Sequence, residues 1–481
     1  MLITRAEIEG NAPLDLRIAR GRIAEIGCAL ARRGGERVLD AAGGALLPGL
    51  HDHHIHLMAM AAAEASVPCG PPQVRSIESL GNALSFGAQR SGWIRGVGYH
   101  ESVAGHLDRA LLDDLASDRP VRIQHRSGAM WVMNSPAVDR LGLDRGVDQP
   151  GVERDPAGRA TGRLFRLDAW LREQLEDGDP PSLGDVSLRL ASFGVTGLTD
   201  ATAENSSAEL RAFVDAAEGG ELLQRLVVMG SLDLHSPTHP MVEPGALKVL
   251  LDESDLPSFE ALQDTIETAH RDGRSAAVHC VTRSELVLAA AAFAAAGCRL
   301  GDRIEHASVA PPDAVRLLAD LPLTVVTQPG FIRERGDAYL VDVEPRDRPW
   351  LYPCGRLLRA AVPLGGSTDA PFGDPDPWTA MRTAVDRRTE AGASIGSEDA
   401  LTPERALALF TSPPERPGAT PRPIEVGARA DLCLLDRPWS TARSELSSAL
   451  VVATIRGGSV IWPMSEGDLP SPHRPEPGST W

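Results

Sequence analysis

The stretch Pro48-Gly49-Leu50-His51-Asp52-His53-His54-Ile55-His56 decides how the rest of this 481-residue chain is read. Four of the thirteen histidines fall within residues 51–56. An apolar run, Ala45–Leu50, leads into the block, which reads as the C-terminal end of a β-strand. Alternate residues of a strand share a face, so His54 and His56 point together while Ile55 packs away and His53 turns off that face. Neutral imidazoles are good ligands for zinc and similar ions. The bland alternative is a chance cluster of core or solvated histidines. A position at a strand's C-terminal end, where barrel active sites are built, weighs against it.

Seven further buried-looking runs follow, at Gly194–Asp200, Leu222–Met229, Leu247–Leu251, Ala276–His279, Arg303–His306, Leu323–Thr327 and Val362–Gly366. Helical patterns such as Phe259–Arg271 and Ser284–Ala296 lie between many of them. Eight strands alternating with helices are the arithmetic of an α/β fold of the distorted (β/α)8 TIM type, with a long insertion after barrel strand 1. Ligand-type residues recur at matching places. Lys248 lies on the fourth run, His279 ends the fifth, His306 ends the sixth, and Asp369 follows the eighth. The intervals 279 − 248 = 31 and 306 − 279 = 27 are each about one βα unit, and 369 − 306 = 63 is about two. Short alternating runs near both ends (Leu14–Ile18, Arg22–Ile26, Arg37–Leu39; 425–436, Val451–Ile455, Ser459–Trp462) read as one small β-sandwich assembled from both termini. The expected division is therefore a composite β-domain (1–44 with 415–465), a metal-binding barrel (45–60 with 190–414), an insertion (61–189) and a disordered tail (466–481).

Composition narrows the function classes. With 42% apolar and 24% charged residues, the chain is an ordinary globular protein with no membrane-length apolar run and no export signal at its start. Six singly scattered cysteines read as reduced and cytoplasmic. A net charge of −18 argues against a nucleic-acid partner, which needs a basic footprint. A small-molecule substrate is the expected partner, with self-association left open. Lys+Arg totals 48, yet Lys248 is the single lysine, which leaves 48 − 1 = 47 arginines. In a chain that uses arginine for generic charge, the one remaining lysine points to chemistry that a guanidinium cannot do.

Pro-Gly-Leu-x-Asp-x-His-x-His, a fourth-strand lysine, single histidines on strands five and six and a Ser-x-Asp on strand eight resemble the amidohydrolase superfamily. The sub-pattern is similar to amidohydrolase family 3, the branch with N-substituted formamide deformylases. Trp131-Val-Met-Asn134-Ser135, Gly194-Val-Thr196, Thr327-Gln328-Pro329 and Gly427-Ala-Arg-Ala-Asp431-Leu support it, over roughly residues 1–462. The resemblance implies a barrel plus a β-domain from both ends. It implies one or two divalent ions, zinc foremost, held by His54, His56, Lys248, His279, His306 and Asp369, with Lys248 carboxylated by CO2 to a bridging carbamate. Asp369 is then the general base and acid in hydrolysis of an amide-type C–N bond by metal-activated hydroxide. Lactone hydrolysis, ring deamination or decarboxylation at the same site are the alternatives, and a catalytically silent metal-binding protein is a further one. Trp131, Asn134, Arg303, Gln328 and Tyr339 are expected substrate contacts, and Arg126 and Arg166 hint at an anionic group. Two departures from the branch bear on substrate: Arg166, with Asp168 beyond it, follows Gly162-Arg-Leu164 where an acidic residue is expected, and Ala129 follows Ser127-Gly128 where relatives carry histidine.

Overall fold

A computed structural model describes residues 1–463 apart from 12, 88–91, 148, 176–180 and 236–238, so the tail expected at 466–481 lies outside the described residues. The chain divides into two compact units, one from 1–56 and 183–481, the other from 57–182.

The first unit holds an eight-stranded parallel sheet in sequence order: β1 (Leu50–Ile55), β2 (Val195–Asp200), β3 (Arg225–Gly230), β4 (Val242–Val249), β5 (Ala276–Cys280), β6 (Arg303–His306), β7 (Thr324–Thr327) and β8 (Leu364–Gly366). Just past β8, Asp369 N donates to His54 O (2.9 Å) and His56 N donates to Ala370 O (2.8 Å), which brings the exit of the last strand beside the first. The result is a nearly closed (β/α)8 barrel. Every residue of β1, β2, β6 and β8 is buried, as parallel strands covered on both faces must be. Helices between the strands start on explicit caps: Ser258 accepts from Ala261 N ahead of Phe259–Arg271, and Thr282 with Glu285 forms a capping box ahead of Arg283–Ala296.

Two strands differ from the sequence expectation. Ala45–Leu50 was expected to be the first barrel strand. Ala45–Pro48 instead joins the terminal sheet, parallel to Leu2–Ile8 and antiparallel to Leu432–Leu435, and the polar run after it is β1 itself. Each polar side chain in that run finds at least one buried partner: His51 Nε2 with Thr199 Oγ1 (2.9 Å), Asp52 Oδ1 with Thr368 N (3.1 Å), His53 Nε2 with Ser412 Oγ (3.1 Å). Satisfied in this way, a strand of histidines can be core. The fourth strand begins at Val242, earlier than the apolar run Leu247–Leu251, because Glu243-Pro244-Gly245 interrupts its hydropathy; the register with β3 shifts there.

Both termini contribute to a second sheet of this unit. Leu2–Ile8 pairs with Leu14–Ala19 and Val38–Asp40 through its first half and with Ala45–Pro48 through its second, with a register shift between Ile3 and Ala6 where Arg5 has φ +56°. The two halves share one core, with Ile3, Leu16, Ile23, Leu46, Leu432 and Ile455 inside, which makes the small sandwich.

The second unit, expected at 61–189, separates at 57–182. It carries a six-stranded sheet ordered Val152–Arg154, Ala160–Phe165, Met130–Met133, Val121–His125, Ile94–Tyr99, Val67–Pro68. Here the structure gives Asn134 a different task from the expected substrate contact. Its Oδ1 accepts from Val121 N (2.9 Å) and Ala137 N (3.2 Å), and its Nδ2 donates to Ala116 O (2.7 Å) and Arg119 O (2.8 Å), so it caps helix Ser135–Arg140 and ties three chain segments together. Asn134→Ala orphans these buried backbone groups, and a stability loss of about 2–3 kcal/mol is expected, read as a lower urea midpoint. An unchanged midpoint would contradict this role.

Candidate metal centre

β1 delivers His54 from its last turn of pleat and His56 from just beyond it, and the loop after β8 brings Asp369 to meet them. His56 Nε2 lies 3.2 Å and His54 Nε2 3.4 Å from the same Asp369 Oδ1. One ligand atom from each of the three lies within 4.8 Å of the others. His306, at the end of β6, has its ring centroid 4.8 Å from that of His54 and its Nδ1 4.0 Å from Asp369 Oδ2. His279, near the end of β5, follows with its ring 4.4 Å from His306. Lys248 on β4 is 5% exposed, and its Nζ has no hydrogen-bond partner among the described residues.

Two of these residues hold unusual backbone. Asp369 has φ +59° and His306 φ +68°, the left-handed region that costs a side-chain-bearing residue about 1 kcal/mol or more. At Asp369 the surroundings impose it, since its N donates to His54 O while its O accepts from Phe372 N (2.9 Å). At His306 the turn departs from strand alternation, which alone sends that side chain to the face opposite Glu305.

Neighbours fix how the rings present themselves. His54 Nδ1 donates to Glu305 Oε2, His306 Nδ1 donates to Gln328 Oε1 (2.8 Å), and His56 Nδ1 hydrogen bonds with Thr202 Oγ1 (2.9 Å). With its Nδ1 proton committed to a carboxylate, His54 has its Nε2 lone pair free for a metal. Burial, then the Lys248 ammonium, push His54 down to about 4, and burial pushes His306 down to about 3 despite the pull of Asp369. Burial also drives His279 well below the ordinary histidine range, with His306 and Lys248 adding to it. The rings of His54, His279 and His306 are thus neutral at physiological pH. Burial opposes ionisation of Asp369, but His54, His56 and His306 outweigh it and hold the carboxyl well below the usual range. Burial lowers Lys248.

This donor set fits a divalent cation. Lone pairs and an ionised carboxylate oxygen with no hydrogen-bond partner among the described residues converge on one point, a grouping that positive charge stabilises. His279 and His306 stand beside this group, and both rings feel the charge of Lys248.

The expected substrate contacts divide differently. Gln328 is fully buried, held between His306 and Ser367 Oγ (2.9 Å), and orients a ring. Arg303 is 4% exposed and bonded to Glu305 and to His53 O (2.6 Å), inside the barrel away from its rim. Within the second unit, Trp131 is 4% exposed and spends its indole N–H on Asp168 Oδ1 (2.8 Å). Tyr339 is half-buried, its hydroxyl 3.3 Å from that of Tyr352. Gln328, Arg303 and Trp131 thus spend polar atoms on partners far away in the chain. Sequence reading missed Glu305, Thr202 and Phe372, whose ring stands edge-on to His56 at 5.3 Å. Glu305 left one trace, an acid two residues from Arg303 on a buried strand.

Comparison with known proteins gives a consistent picture. The pattern of the amidohydrolase family matches residues 37–462. An N-substituted formamide deformylase of Arthrobacter pascens is 27% identical over 508 aligned residues, covering 92% of this chain and 93% of that one. Among solved structures, an uncharacterized metal-dependent hydrolase of Pyrococcus horikoshii superposes with a TM-score of 0.73 at 22% identity, over 91% of this chain and 97% of that one. N-isopropylammelide isopropylaminohydrolase of Burkholderia multivorans superposes with a TM-score of 0.53 at 18% identity, over 95% and 97%. These two likenesses speak to the fold alone.

The depressed histidines have a consequence for stability. Their folded values lie below the unfolded value of about 6.5, so the unfolded chain takes up protons first, and the stability they contribute is complete above that pH and lost as pH falls toward about 4. In metal-free protein, unfolding free energy should therefore fall less steeply between about pH 7 and about pH 5 in His306→Asn than in wild type. Equal slopes in urea titrations would refute neutral burial of His306.

Proposed function

This chain belongs to the amidohydrolase family and is a hydrolase of that kind, and from that premise we propose that it cleaves the C–N bond of a small amide, an N-acyl or N-formyl amine or a cyclic amide, with zinc in its barrel. The observation that carries this is the meeting of His54 Nε2 and His56 Nε2 at one Asp369 oxygen, with an unpartnered lysine amine buried in the same barrel. The name of the Arthrobacter relative supports the N-formyl amine as the first substrate to try. Six free cysteines accompany a cytoplasmic location in this reading, and no described helix is long and apolar enough to cross a membrane.

His54, His56 and Asp369 hold one ion in this reading, and Lys248, His279 and His306 a second. Bound there, divalent zinc supplies Lewis acidity, acidifying water and polarising a substrate carbonyl. Asp369 accepts the proton of the attacking water on its carboxylate and later donates it to the departing nitrogen. Its backbone turn and the hydrogen bond from its N to His54 O keep that carboxylate at one point through both transfers. Tyr339 is the proposed rim contact for substrate.

Lys248 has the properties needed to take up CO2. Burial lowers its pKa, so the free amine is more available than on an exposed lysine. The amine nitrogen forms a bond to the carbon of CO2, the amine proton leaves to water, and the product carbamate carries one negative charge that would add an anionic oxygen donor for a bound cation. A guanidinium keeps its charge and does not follow this course.

Three outcomes test the reading. In a hydrolysis screen of N-formyl and N-acyl amines, cyclic amides and lactones run with zinc in excess, Asp369→Asn should lose about 100-fold or more on the best substrate. Wild-type rates in that variant would remove Asp369 as base. Intact mass spectrometry should show one added CO2 on wild type and none on Lys248→Arg, whose activity should collapse. Full activity in Lys248→Arg would end the carbamate assignment and leave the histidine–aspartate site standing.

A further inference from the structure

His54 is the most enclosed of the proposed ligands, and a chain of contacts inside the barrel ends on it. Arg303 and Glu305 sit two apart on β6 and so share its inner face, where both are buried, at 4% and 0% exposure. Arg303 donates from Nε to Glu305 Oε1 and from Nη2 to Glu305 Oε2 (3.0 Å). The same Nη2 donates to His53 O (2.6 Å), the carbonyl of the peptide that leads into His54. Glu305 Oε2 in turn accepts the Nδ1 proton of His54.

We propose that Arg303 and Glu305 are positioning residues for His54, reaching it twice, through the ring by way of Glu305 and through the backbone by way of the His53 carbonyl. The two-nitrogen grip of Arg303 prevents the Glu305 carboxylate from rotating. The fixed carboxylate sets both the plane of the His54 ring and the nitrogen that carries its proton, and the bond to His53 O holds the strand from which the ring projects. Gripped on both oxygens by Arg303, the Glu305 carboxylate presents an acceptor to His54 Nδ1.

A purely structural pair is the competing account. Buried ion pairs are commonly no more stabilising than well-packed apolar residues of the same size, so stability alone gives poor reason to bury this one beneath a ligand. Carboxylate partners of ligand histidines, by contrast, typically change metal affinity about 10- to 100-fold when removed.

The inference rests on His54 being a metal ligand, and metal binding by the full-length protein tests both together and apart. Zinc affinity is measured by competition with a chromophoric chelator, and the visible absorption of the cobalt-loaded protein reports ligand geometry. Glu305→Gln, which keeps the shape, should weaken zinc binding about 10- to 100-fold and shift the cobalt bands. Arg303→Met alone leaves a buried carboxylate uncompensated and should lower the urea midpoint. The double variant Arg303→Met/Glu305→Gln removes that charge and should recover the midpoint while zinc affinity stays weak and the cobalt spectrum stays altered. Recovery of all three together, or wild-type zinc affinity in Glu305→Gln, overturns the positioning role. Failure of wild-type protein to bind zinc at all overturns the metal reading itself, and this inference with it.

Discussion

Two backbone hydrogen bonds, Asp369 N to His54 O and His56 N to Ala370 O, join the exit of the eighth barrel strand to the end of the first. Everything proposed for the site depends on that junction. His54 and His56 are more than three hundred positions from Asp369 in the chain, and no local preference brings them together. The junction also forces Asp369 into left-handed backbone, a cost the closing hydrogen bonds and the turn to Phe372 must offset. Buried Asp52 works alongside, accepting from Thr368 N, Thr368 Oγ1 and His54 N, so that one carboxylate braces both sides of the closure. Burial raises that carboxyl to about 7 against the hydrogen bonds it receives.

A second constraint follows from placing so much polarity inside a barrel. Parallel strands are ordinarily apolar on both faces, and β1 instead carries three histidines and an aspartate among its six residues. The fold meets the desolvation cost with one partner for each group: Thr199 for His51, Thr368 for Asp52, Ser412 for His53, Glu305 for His54. The rings stay neutral, which avoids charge repulsion in the interior and leaves them fit to bind a cation. Stability and ligand chemistry here share one cause.

Several of the side chains expected at a substrate, polar or aromatic and near strand ends, turn out to serve the scaffold. Asn134, Gln328 and Arg303 look alike from sequence because each has hydrogen-bonding capacity close to a strand terminus. They differ in where that capacity is used: Asn134 on backbone groups up to 18 positions away, Gln328 on a histidine 22 positions back, Arg303 on a glutamate two residues on and a carbonyl 250 positions off. A polar residue is free for a ligand only when nothing in the protein has taken its atoms, and that is a property of the packed chain.

What the sequence determined by itself was the set of candidate ligands and the order of the barrel. His54 and His56 on alternate positions, single ligand-type residues at intervals of about one βα unit, and a sole lysine in an arginine-rich chain are all local or periodic signals, and local geometry obeys them. Helix Phe259–Arg271 lies where its pattern placed it, because a 3.6-residue apolar stripe with a serine cap leaves little choice. Tertiary structure alone decided that Ala45–Pro48 leaves the barrel for the terminal sheet, that Glu305 and Thr202 stand behind the histidine rings, and that Arg303 faces inward. Those facts depend on partners 146 to 251 positions away for the rings and 250 for Arg303, where the balance between burying a polar group and satisfying it is settled only once the barrel closes.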